Sequence, residues 1–406
     1  MKKWTFCIFA TLCLSAAFAF AANPRKNIRQ ANKLAGDYTK VKQARELINE
    51  VLADSTFTPD AYTYFVAGKI EREAYRHFYK MLSINRKDPN VDLVSMGDAL
   101  MSANRYFTKC MALDSVPDKH GVIKVKYSPE LAEWLNISAP ALYNAGIAYM
   151  NKKHYYPKAY NAFMEYASLP DKAYFHPDIP MSDSIRANAY FYGGVMAYNA
   201  HEYDKAFNAF RKARKNGYTR KEVFLNQISS LSNIIKAHPE MRDSLGREVT
   251  RTAGDALKIH GVDKTPVFIQ KYVAGLMIEE LPGQALAAID TALDKNPEMA
   301  LLHNMKAGVL ASMNRKDEAV AEYRKAADYS NADIHTLKSA SKYIASVGIE
   351  KLDSIKGRGR SAREMAKSIR EKYLRPALHY ANRAAESAPE DAEIKNTIET
   401  VTYRLH

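Results

Sequence analysis

The sequence predicts an all-α protein, built as an α-solenoid of stacked antiparallel helix hairpins. Apolar residues recur at three- and four-residue spacing along almost the whole chain, which is the period of a helix. Strand-like alternation occurs only in Gly121–Tyr127, and turn-forming residues are sparse, with 17 Gly and 16 Pro among 406 residues. A small–bulky–small pattern also returns at a fixed distance, which indicates structural repeats.

Residues 1–21 are predicted to be a secretory signal peptide. Two lysines precede an apolar run that ends at about Phe20, and the Ala-Phe-Ala triplet of residues 19–21 matches a cleavage site. The triplet at 17–19 is the second choice. A membrane anchor is the alternative interpretation, but the run is short for a span, which needs about 20 apolar residues. We therefore expect an exported protein, periplasmic or associated with the outer envelope, with no transmembrane segment after cleavage.

The repeat pattern is clearest in two segments that lie 34 positions apart, "QALAAIDTALDKNP" (284–297) and "EAVAEYRKAADYSN" (318–331). Matching positions pair Ala285 with Ala319, Ile289 with Tyr323, and Ala292 with Ala326. Two helices approach closely where their side chains are small, and bulky side chains fill the space between one hairpin and the next. A single hairpin cannot bury its apolar face, so neighbouring hairpins must stack.

Similar small positions recur along the chain, at Ala44, Ala103, Ala159, Ala206, Ala285, Ala319 and Ala377. A glycine precedes several of them in the preceding helix, at Gly68, Gly146 and Gly194. We expect these glycines to face the alanines of the second helix. The pattern resembles the tetratricopeptide repeat (TPR) family, of an exported Gram-negative type with irregular repeats. That resemblance implies a TPR-like solenoid that binds other proteins.

The spacing between repeats is irregular, which implies lengthened helices or inserted loops. We predict a lead-in helix at 22–40, a solenoid over 41–406, a basic helical insertion at 356–375 and a closing helix at 392–405. The insertions between repeats are placed at 81–92, 114–130 and 168–183. Long loops of this kind are either functional or poorly ordered.

The segment "KGRGRSAREMAKSIREKYLR" (356–375) is the most basic stretch of the chain. Ser361 and Glu364 have the spacing of a capping box, which predicts a helix from about Ala362. Met365, Ile369 and Tyr373 would then share one face, and a second face would carry Arg363, Lys367 and Arg370. This second face is either a docking surface for an acidic partner or a hydrated helix surface.

In the TPR family, partners usually lie along a groove lined by the first helix of each repeat. By repeat position the resemblance places these residues there: Tyr143, Met150, Phe191, Val195, Tyr198, Asn304 and Gly308. Chaperone-docking members carry Lys and Asn in the groove to hold a terminal carboxylate, and this chain does not match that pattern, with Ile147 at one of the matching positions. The predicted groove is aromatic and apolar, although neighbouring helices would cover some of its residues.

A short Asp-Ser motif recurs at predicted helix ends and resembles the O-glycosylation acceptor of exported proteins in some Gram-negative bacteria. The candidate acceptors are Ser55, Ser115, Ser184, Ser244 and Ser354. A sixth match, at Thr291, is predicted to lie in the middle of a helix. Because Asp and Ser also favour helix ends and turns for local reasons, the motif has a structural explanation as well.

Composition and motifs favour binding over catalysis. No catalytic, nucleotide-binding or paired-cysteine motif is present, so we predict no enzyme activity, no cofactor and no metal site. Cys110 is the only cysteine outside the first 21 residues. The net charge is +14, with 59 Lys+Arg against 45 Asp+Glu, and suits anionic surroundings. Export argues against nucleic acid.

We therefore expect a scaffold or adaptor that binds another protein or peptide in the cell envelope. The alternative is a soluble binder of envelope glycan or peptidoglycan, which the basic balance and the 26 tyrosines would suit. Tyr143, Tyr192 or Tyr198 exposed beside basic residues would favour the glycan, and buried tyrosines would favour the protein scaffold.

Overall fold

A computed structural model describes residues 23–117, 120–176, 178–179, 181–262, 266–357 and 359–406. The predicted signal peptide and its cleavage site lie outside these residues. The described part of the chain contains α-helices joined by turns and loops, and it contains no strand. The prediction of an all-α fold is therefore confirmed. Residues 121–127, the strand-like stretch, have irregular backbone.

The contacts divide the chain into two compact units. The N-terminal unit extends to Glu202 and includes Lys215–Gly217, and the C-terminal unit comprises Tyr203–Arg214 and the chain from Tyr218 onward. The helices of the N-terminal unit are α1 (Pro24–Leu34), α2 (Val41–Ala53), α3 (Ala61–Ile84), α4 (Leu93–Asp114), α5 (Ser128–Ile137), α6 (Ala139–Met150), α7 (Tyr156–Ser168) and α8 (Asp183–Asn199).

Helix α9 (Tyr203–Lys215) belongs to the C-terminal unit except for its last residue. The other helices of that unit are α10 (Lys221–Ala237), α11 (Arg242–His260), α12 (Pro266–Ile278), α13 (Pro282–Leu293), α14 (Ala300–Ser312), α15 (Lys316–Asp328), α16 (Ile334–Asp353), α17 (Arg360–Ile369), α18 (Arg375–Ser387) and α19 (Ala392–Leu405). A π-helical segment, Arg370–Leu374, joins α17 to α18 without a break.

Several of these helices begin at a side chain that caps the free backbone N–H groups of the first turn. Asp60 accepts a hydrogen bond from the backbone N–H of Thr63 at 2.8 Å, and Asp92 accepts one from Val94 at 3.0 Å. Asp391 does the same for Ile394 at 3.1 Å. These caps fix where the helices start, and hence how long the connecting loops are.

Within each unit, successive helices pack against one another as hairpins. In the N-terminal unit α1 packs on α2, α3 on α4, and α6 on α7; in the C-terminal unit α12 packs on α13, α14 on α15, and α16 on α18. Short connections make the successive pairs antiparallel. Helices α16 and α18 are joined through α17 and the π-helical segment. The small positions predicted from the repeat are all fully buried: Ala44, Ala103, Ala159, Ala206, Ala285, Ala319 and Ala377. This is the packing of TPR-like helix hairpins.

Gly68 and Gly146 lie against aromatic rings and not against those alanines, contrary to the expectation from the repeat. A Cβ at Gly68 would lie 2.3 Å from the ring of Phe107, and one at Gly146 would lie 2.7 Å from the ring of Phe163. Each glycine therefore makes room for the aromatic ring four residues after the alanine. The alanine lets the backbones approach, and the ring fills the space that the glycine leaves.

The irregular spacing has two causes. Helices α3 and α4 contain 24 and 22 residues, so the predicted insertion at 81–92 consists of the last turn of α3 followed by a short loop. The predicted insertion at 114–130 is a true loop leading into an additional helix, α5. Its end is held by Asp114, whose carboxylate accepts hydrogen bonds from the backbone N–H groups of Lys126, Tyr127 and Ser128 at 2.8–3.1 Å.

Candidate functional site

The tyrosine predicted to line a groove on α6 instead packs within the hairpin. The ring of Tyr143 is half-buried and meets the rings of Phe163 and Tyr166 on α7, each at a centroid distance of 5.4 Å. This burial, with the neighbouring Tyr192 and Tyr166, raises the pKa of the Tyr143 hydroxyl above its ordinary value. Tyr143 therefore contributes to the contact between α6 and α7.

The other predicted residues of the N-terminal unit, Met150, Phe191 and Tyr198, are half-buried. The ring of Phe191 lies 5.7 Å from that of Tyr192, which in turn lies 5.9 Å from Phe163. The structure thus brings Tyr143 and Tyr192 together around Phe163. Tyr192 is 36% exposed. None of these residues lines the large cleft of the same unit.

That cleft, called here the apolar cleft, has a volume of about 900 Å³ and lies between the C-terminal turns of α3, the start of α4, and α6. Four large apolar side chains on its lining are exposed: Tyr79 at 58%, Leu93 at 51%, Ile137 at 70% and Ile147 at 43%. Polar groups also line it, and they belong to Ser83, Arg86, Asn144 and Asn151.

Small residues on α6 create the space of the apolar cleft. Ala141, Ala145 and Ala148 line it at helical spacing, so the backbone of α6 forms part of its wall. Helices α4 and α6 meet closely at Gly97, where a Cβ would lie 2.9 Å from the hydroxyl oxygen of Tyr149. That hydroxyl donates a hydrogen bond to Asp98 at 2.8 Å, which fixes the two helices at one edge of the cleft.

Sequence reasoning identified Ile147 as a groove position but missed Tyr79, Leu93 and Ile137. The detectable sign was Tyr75, Tyr79 and Leu82, whose helical spacing continues α3 beyond Gly68 for longer than a regular repeat helix would extend. All three line the apolar cleft.

In the C-terminal unit the predicted groove residues lie near a smaller notch between α12 and α14. The notch has a volume of about 270 Å³, and Gly308 lines it together with Met277 and Met305. Asn304 lies one turn before Gly308 and is half-buried. Its side-chain oxygen is buried and has no hydrogen-bond partner among the described residues.

The basic helix differs from its prediction in two respects. It begins at Arg360, with Gly359 at the N-cap and no side-chain cap, so the predicted Ser361–Glu364 capping box is wrong. Because the helix starts two residues earlier than expected, Ser361 lies inside the first turn, and Glu364 pairs with Arg360 at 3.0 Å. Arg363 and Lys367 are exposed, as predicted for a polar face, whereas Arg370 is half-buried.

The three residues of the predicted apolar face differ in burial. Met365 is 48% exposed, Ile369 is half-buried, and Tyr373 is buried at 4% exposure. The π-helical segment explains the change, because its wider turn carries Tyr373 and Leu374 together into the core against α16. Helix α17 itself contains no buried residue.

The five candidate glycosylation serines, Ser55, Ser115, Ser184, Ser244 and Ser354, are all exposed and lie at or next to helix ends. Thr291 is exposed as well but lies inside α13, where its hydroxyl donates to the carbonyl of Ala287 at 2.9 Å. These positions are accessible, and their modification remains a prediction.

Three further features bear on other classes of site. No group of three or more His, Cys, Asp or Glu side chains in the described ranges is arranged to hold a metal ion. None of the described helices combines the length and the apolar character needed to cross a bilayer. Burial raises the pKa of the Cys110 thiol to about 12, so this buried cysteine is not a reactive thiolate.

The fold and the clefts define an all-α protein of TPR-like helix hairpins with exposed apolar surface. No family model matches the chain, and no curated protein matches it in sequence. Among solved structures, the chain is similar to a thermophilic TPR protein of Thermus thermophilus, with 17% identity over 53% of this chain and 99% of the other and a TM-score of 0.32.

A TPR repeats protein from Bacteroides fragilis is similar at 16% identity, over 65% of this chain and 98% of the other, with a TM-score of 0.34. Yeast Tom70 is similar at 14% identity, over 94% and 96% of the two chains, with a TM-score of 0.27. Since identities and TM-scores are this low, the fold assignment rests on the helix packing described above.

Proposed function

We propose that this protein is an exported scaffold or adaptor that binds a segment of another protein in the cell envelope and performs no chemistry of its own. The observation that carries this proposal is the apolar cleft, with its volume of about 900 Å³ and its four exposed large apolar side chains. Contiguous apolar surface of this kind marks an interaction site.

The cleft suits an apolar peptide segment. Tyr79, Leu93 and Ile147 supply apolar contacts, and their burial by a partner would contribute about 25 cal/mol for each Å² removed from water. Two exposed asparagines, one on α6 and one at its C-terminal end, offer amide donors and acceptors to a partner backbone. Arg86 is the only charged residue on the described lining, so the segment itself should be predominantly uncharged.

The exported context is part of the proposal and rests on the sequence of residues 1–21, whose two lysines, apolar run and small-residue triplet fit a signal peptide. The mature chain would then work in the periplasm or at the outer envelope.

A second candidate function, binding of envelope glycan, is favoured by a different surface of the N-terminal unit. Tyr64 and Tyr106 stack at 6.3 Å, with Lys109 over the ring of Tyr64 at 5.3 Å and Arg105 over that of Tyr106 at 5.0 Å. The two rings are half-buried beside exposed cations. Aromatic faces of this kind stack on sugars, and the cations suit acidic glycans.

Matched substitutions test the leading proposal. Ile147 and Ile185 are both 43% exposed on helices of the N-terminal unit, but only Ile147 lines the apolar cleft. A photoreactive residue at position 147, compared with the same residue at 185, would identify a partner by crosslinking in native envelope. The partner would then be purified and its affinity measured for Ile147→Glu and Ile185→Glu.

We expect Ile147→Glu to weaken binding of the purified partner by about tenfold or more, because a buried unpaired charge would face the partner's apolar surface. Ile185→Glu should change the affinity by less than about twofold. Equal effects of the two variants would place the contact elsewhere. If purified envelope glycan bound the unmodified chain and Tyr64→Ala abolished that binding, while no protein was captured, the glycan function would replace the scaffold.

A further inference from the structure

The C-terminal unit contains a second cleft, with a volume of about 760 Å³, called here the basic cleft. It lies between the end of α16, one face of α17, and the last turn of α19. Three guanidinium groups line it, from Arg363, Arg370 and Arg404, and the only carboxylate side chain on the described lining is that of Asp353.

The charges of the basic cleft are not balanced internally. Arg404 forms an ion pair with Asp353, so the one carboxylate side chain on the described lining is already engaged. Arg370 donates from Nε to the backbone carbonyl of Arg404 at 2.9 Å, which fixes its side chain at the cleft. Arg363 is exposed, and its guanidinium group has no hydrogen-bond or ion-pair partner among the described residues.

One residue of the basic cleft also carries a buried donor without a partner. The Nε atom of Arg404 is buried and has no hydrogen-bond partner in the part of the chain that the structure describes. A buried donor without an acceptor is destabilising, more so when the group is charged. An anion in the cleft would supply acceptors to the exposed N–H groups of these guanidinium ions.

Helix α17 presents charge and has no fully buried residue; its half-buried Ile369 packs against the core. Segment 356–375 has eight basic and two acidic residues. Glu364 and Glu371 pair with Arg360 and Arg375, at 3.0 and 2.7 Å, so neither neutralises the residues that face the cleft.

The helix is nevertheless held firmly at its C-terminal end. A Cβ at Gly348 of α16 would lie 2.6 Å from Cβ of Tyr373 and 2.9 Å from Leu374, so only glycine allows the π-helical segment to approach this closely. Tyr373 also donates to Asp317 at 3.1 Å. The anchored π-helical segment places Arg370 at the cleft, and Arg363 lies two turns away, about 10.5 Å along the axis.

We propose that the basic cleft binds an acidic peptide segment of a partner, whose carboxylates pair with Arg363 and Arg370. Guanidinium groups bind carboxylates through paired parallel hydrogen bonds, and two such groups held two turns apart select for carboxylates with matching separation. Tyr403, which is 79% exposed on the lining, provides an apolar contact that a small inorganic anion would not use. This site is separate from the apolar cleft and does not depend on it.

A matched pair of double variants tests the proposal. Arg363→Glu with Lys367→Glu changes two exposed residues of α17, and Arg242→Glu with Arg247→Glu changes two exposed residues of α11, so both lower the net charge equally. The probe is a labelled glutamate-rich peptide carrying one phenylalanine, measured by fluorescence anisotropy with the mature chain and no tag after His406. Its counterpart with lysine in place of glutamate, inorganic phosphate, and vesicles containing anionic lipid are tested in parallel.

We expect the acidic peptide to bind, the α17 variant to weaken binding by about tenfold or more, and the α11 variant to change it by less than about threefold. Binding should also weaken as salt is added. Ile147→Glu should leave this affinity unchanged, which separates the basic cleft from the function proposed for the apolar cleft. Equal losses in the two double variants would overturn the proposal, as would binding of the vesicles or phosphate in place of the peptide.

Discussion

The backbone of Gly68 on α3 lies directly against the ring of Phe107 on α4, so closely that a Cβ would come within 2.3 Å of the ring. The same relationship joins Gly146 to Phe163 in the hairpin of α6 and α7. Both rings are fully buried. In both hairpins, therefore, an aromatic ring of the second helix packs directly on a glycine of the first.

We expect Gly68→Ala to destabilise the N-terminal unit by about 1–3 kcal/mol, because the added methyl group must displace the ring of a fully packed phenylalanine. The helix-propensity gain of about 1 kcal/mol offsets only part of this effect. Gly246→Ala is the control: no atom lies within 4 Å of a Cβ there, so the variant should be more stable. Urea unfolding measures both, and equal effects would contradict the packing.

The alkylation rate of Cys110 measures how readily the N-terminal unit opens. Burial raises the pKa of its thiol to about 12, and the residue is 0% exposed. Alkylation of the native mature chain at mildly alkaline pH should therefore be slow and should proceed only through opening of α3 and α4. Gly68→Ala should accelerate it, while Gly246→Ala should not. Rapid alkylation of the unmodified chain would show that Cys110 is accessible.

The carboxylate of Asp114 should hold the 115–127 loop closed. Burial opposes its charge, but hydrogen bonds from Ser128, Tyr127 and Lys126 outweigh that effect and lower its pKa. Because the folded pKa is below the unfolded one, this stabilisation is present above the unfolded pKa and is lost as pH falls towards the folded pKa. Asp114→Asn should therefore be less stable by about 1–3 kcal/mol at neutral pH.

Limited proteolysis between Val116 and Tyr127 measures the opening of this loop. Cleavage should be faster in Asp114→Asn than in the unmodified chain at neutral pH, and the difference should shrink in acid, where both side chains are uncharged. A difference that persisted unchanged in acid would show that charge is not the cause.

The stability of the C-terminal unit should also decrease in acid, because of the buried pair His303 and Glu322. Nδ1 of His303 lies 2.6 Å from the carboxylate of Glu322, and Nε2 lies 2.8 Å from the carbonyl of Pro297. Burial alone would raise the pKa of Glu322, but hydrogen bonds from His303 and Lys325 lower it. We expect Glu322→Gln to destabilise this unit by about 1–3 kcal/mol at neutral pH.

The unfolding free energies of the unmodified chain and of Glu322→Gln should converge as pH falls through the folded pKa of Glu322, since the carboxylate loses its charge there. Both tryptophans of the chain lie before residue 203, so hydrogen exchange of α14 and α15 is a better measurement than tryptophan fluorescence. A destabilisation that stays constant with pH would assign the effect to packing.

If the Asp-Ser motif is a glycosylation acceptor, Ser55 should be more fully modified than Ser184 and Ser244. It lies in the turn between α2 and α3, whereas Ser184 and Ser244 lie inside the first turns of α8 and α11. Irregular exposed backbone is more easily bound in extended form by a modifying enzyme. Intact mass of the protein purified from its own envelope, compared with Ser55→Ala, checks this. A mature chain at its calculated mass would exclude glycosylation.

Several features of the binding surfaces were not accessible to sequence reasoning. The repeat resemblance assigned Tyr143 to a groove, but a half-buried tyrosine and an exposed one have the same helical spacing, and the contacts with Phe163 and Tyr166 exist only between folded helices. The apolar cleft depends on the length of α3, which the repeat pattern does not specify.

For the basic helix, too, the sequence predicted some features and the folded structure decided others. Its charge and its amphipathic character were evident from the sequence, and Arg363 and Lys367 are exposed as expected. The π-helical segment was not, because it arises where Tyr373 and Leu374 pack on Gly348 of a separate, earlier helix. That segment decides that Met365 stays exposed and that Arg370 is fixed beside Arg404.

By itself the sequence determined the all-α class, the hairpin repeat and the alanines that became fully buried, because these depend on local periodicity and on the size of single side chains. The tertiary structure alone decided which ring each glycine receives, where α6 leaves an apolar cleft, and which guanidinium groups meet in the basic cleft. Those outcomes depend on distances between helices, which are set by all the side chains of an interface together.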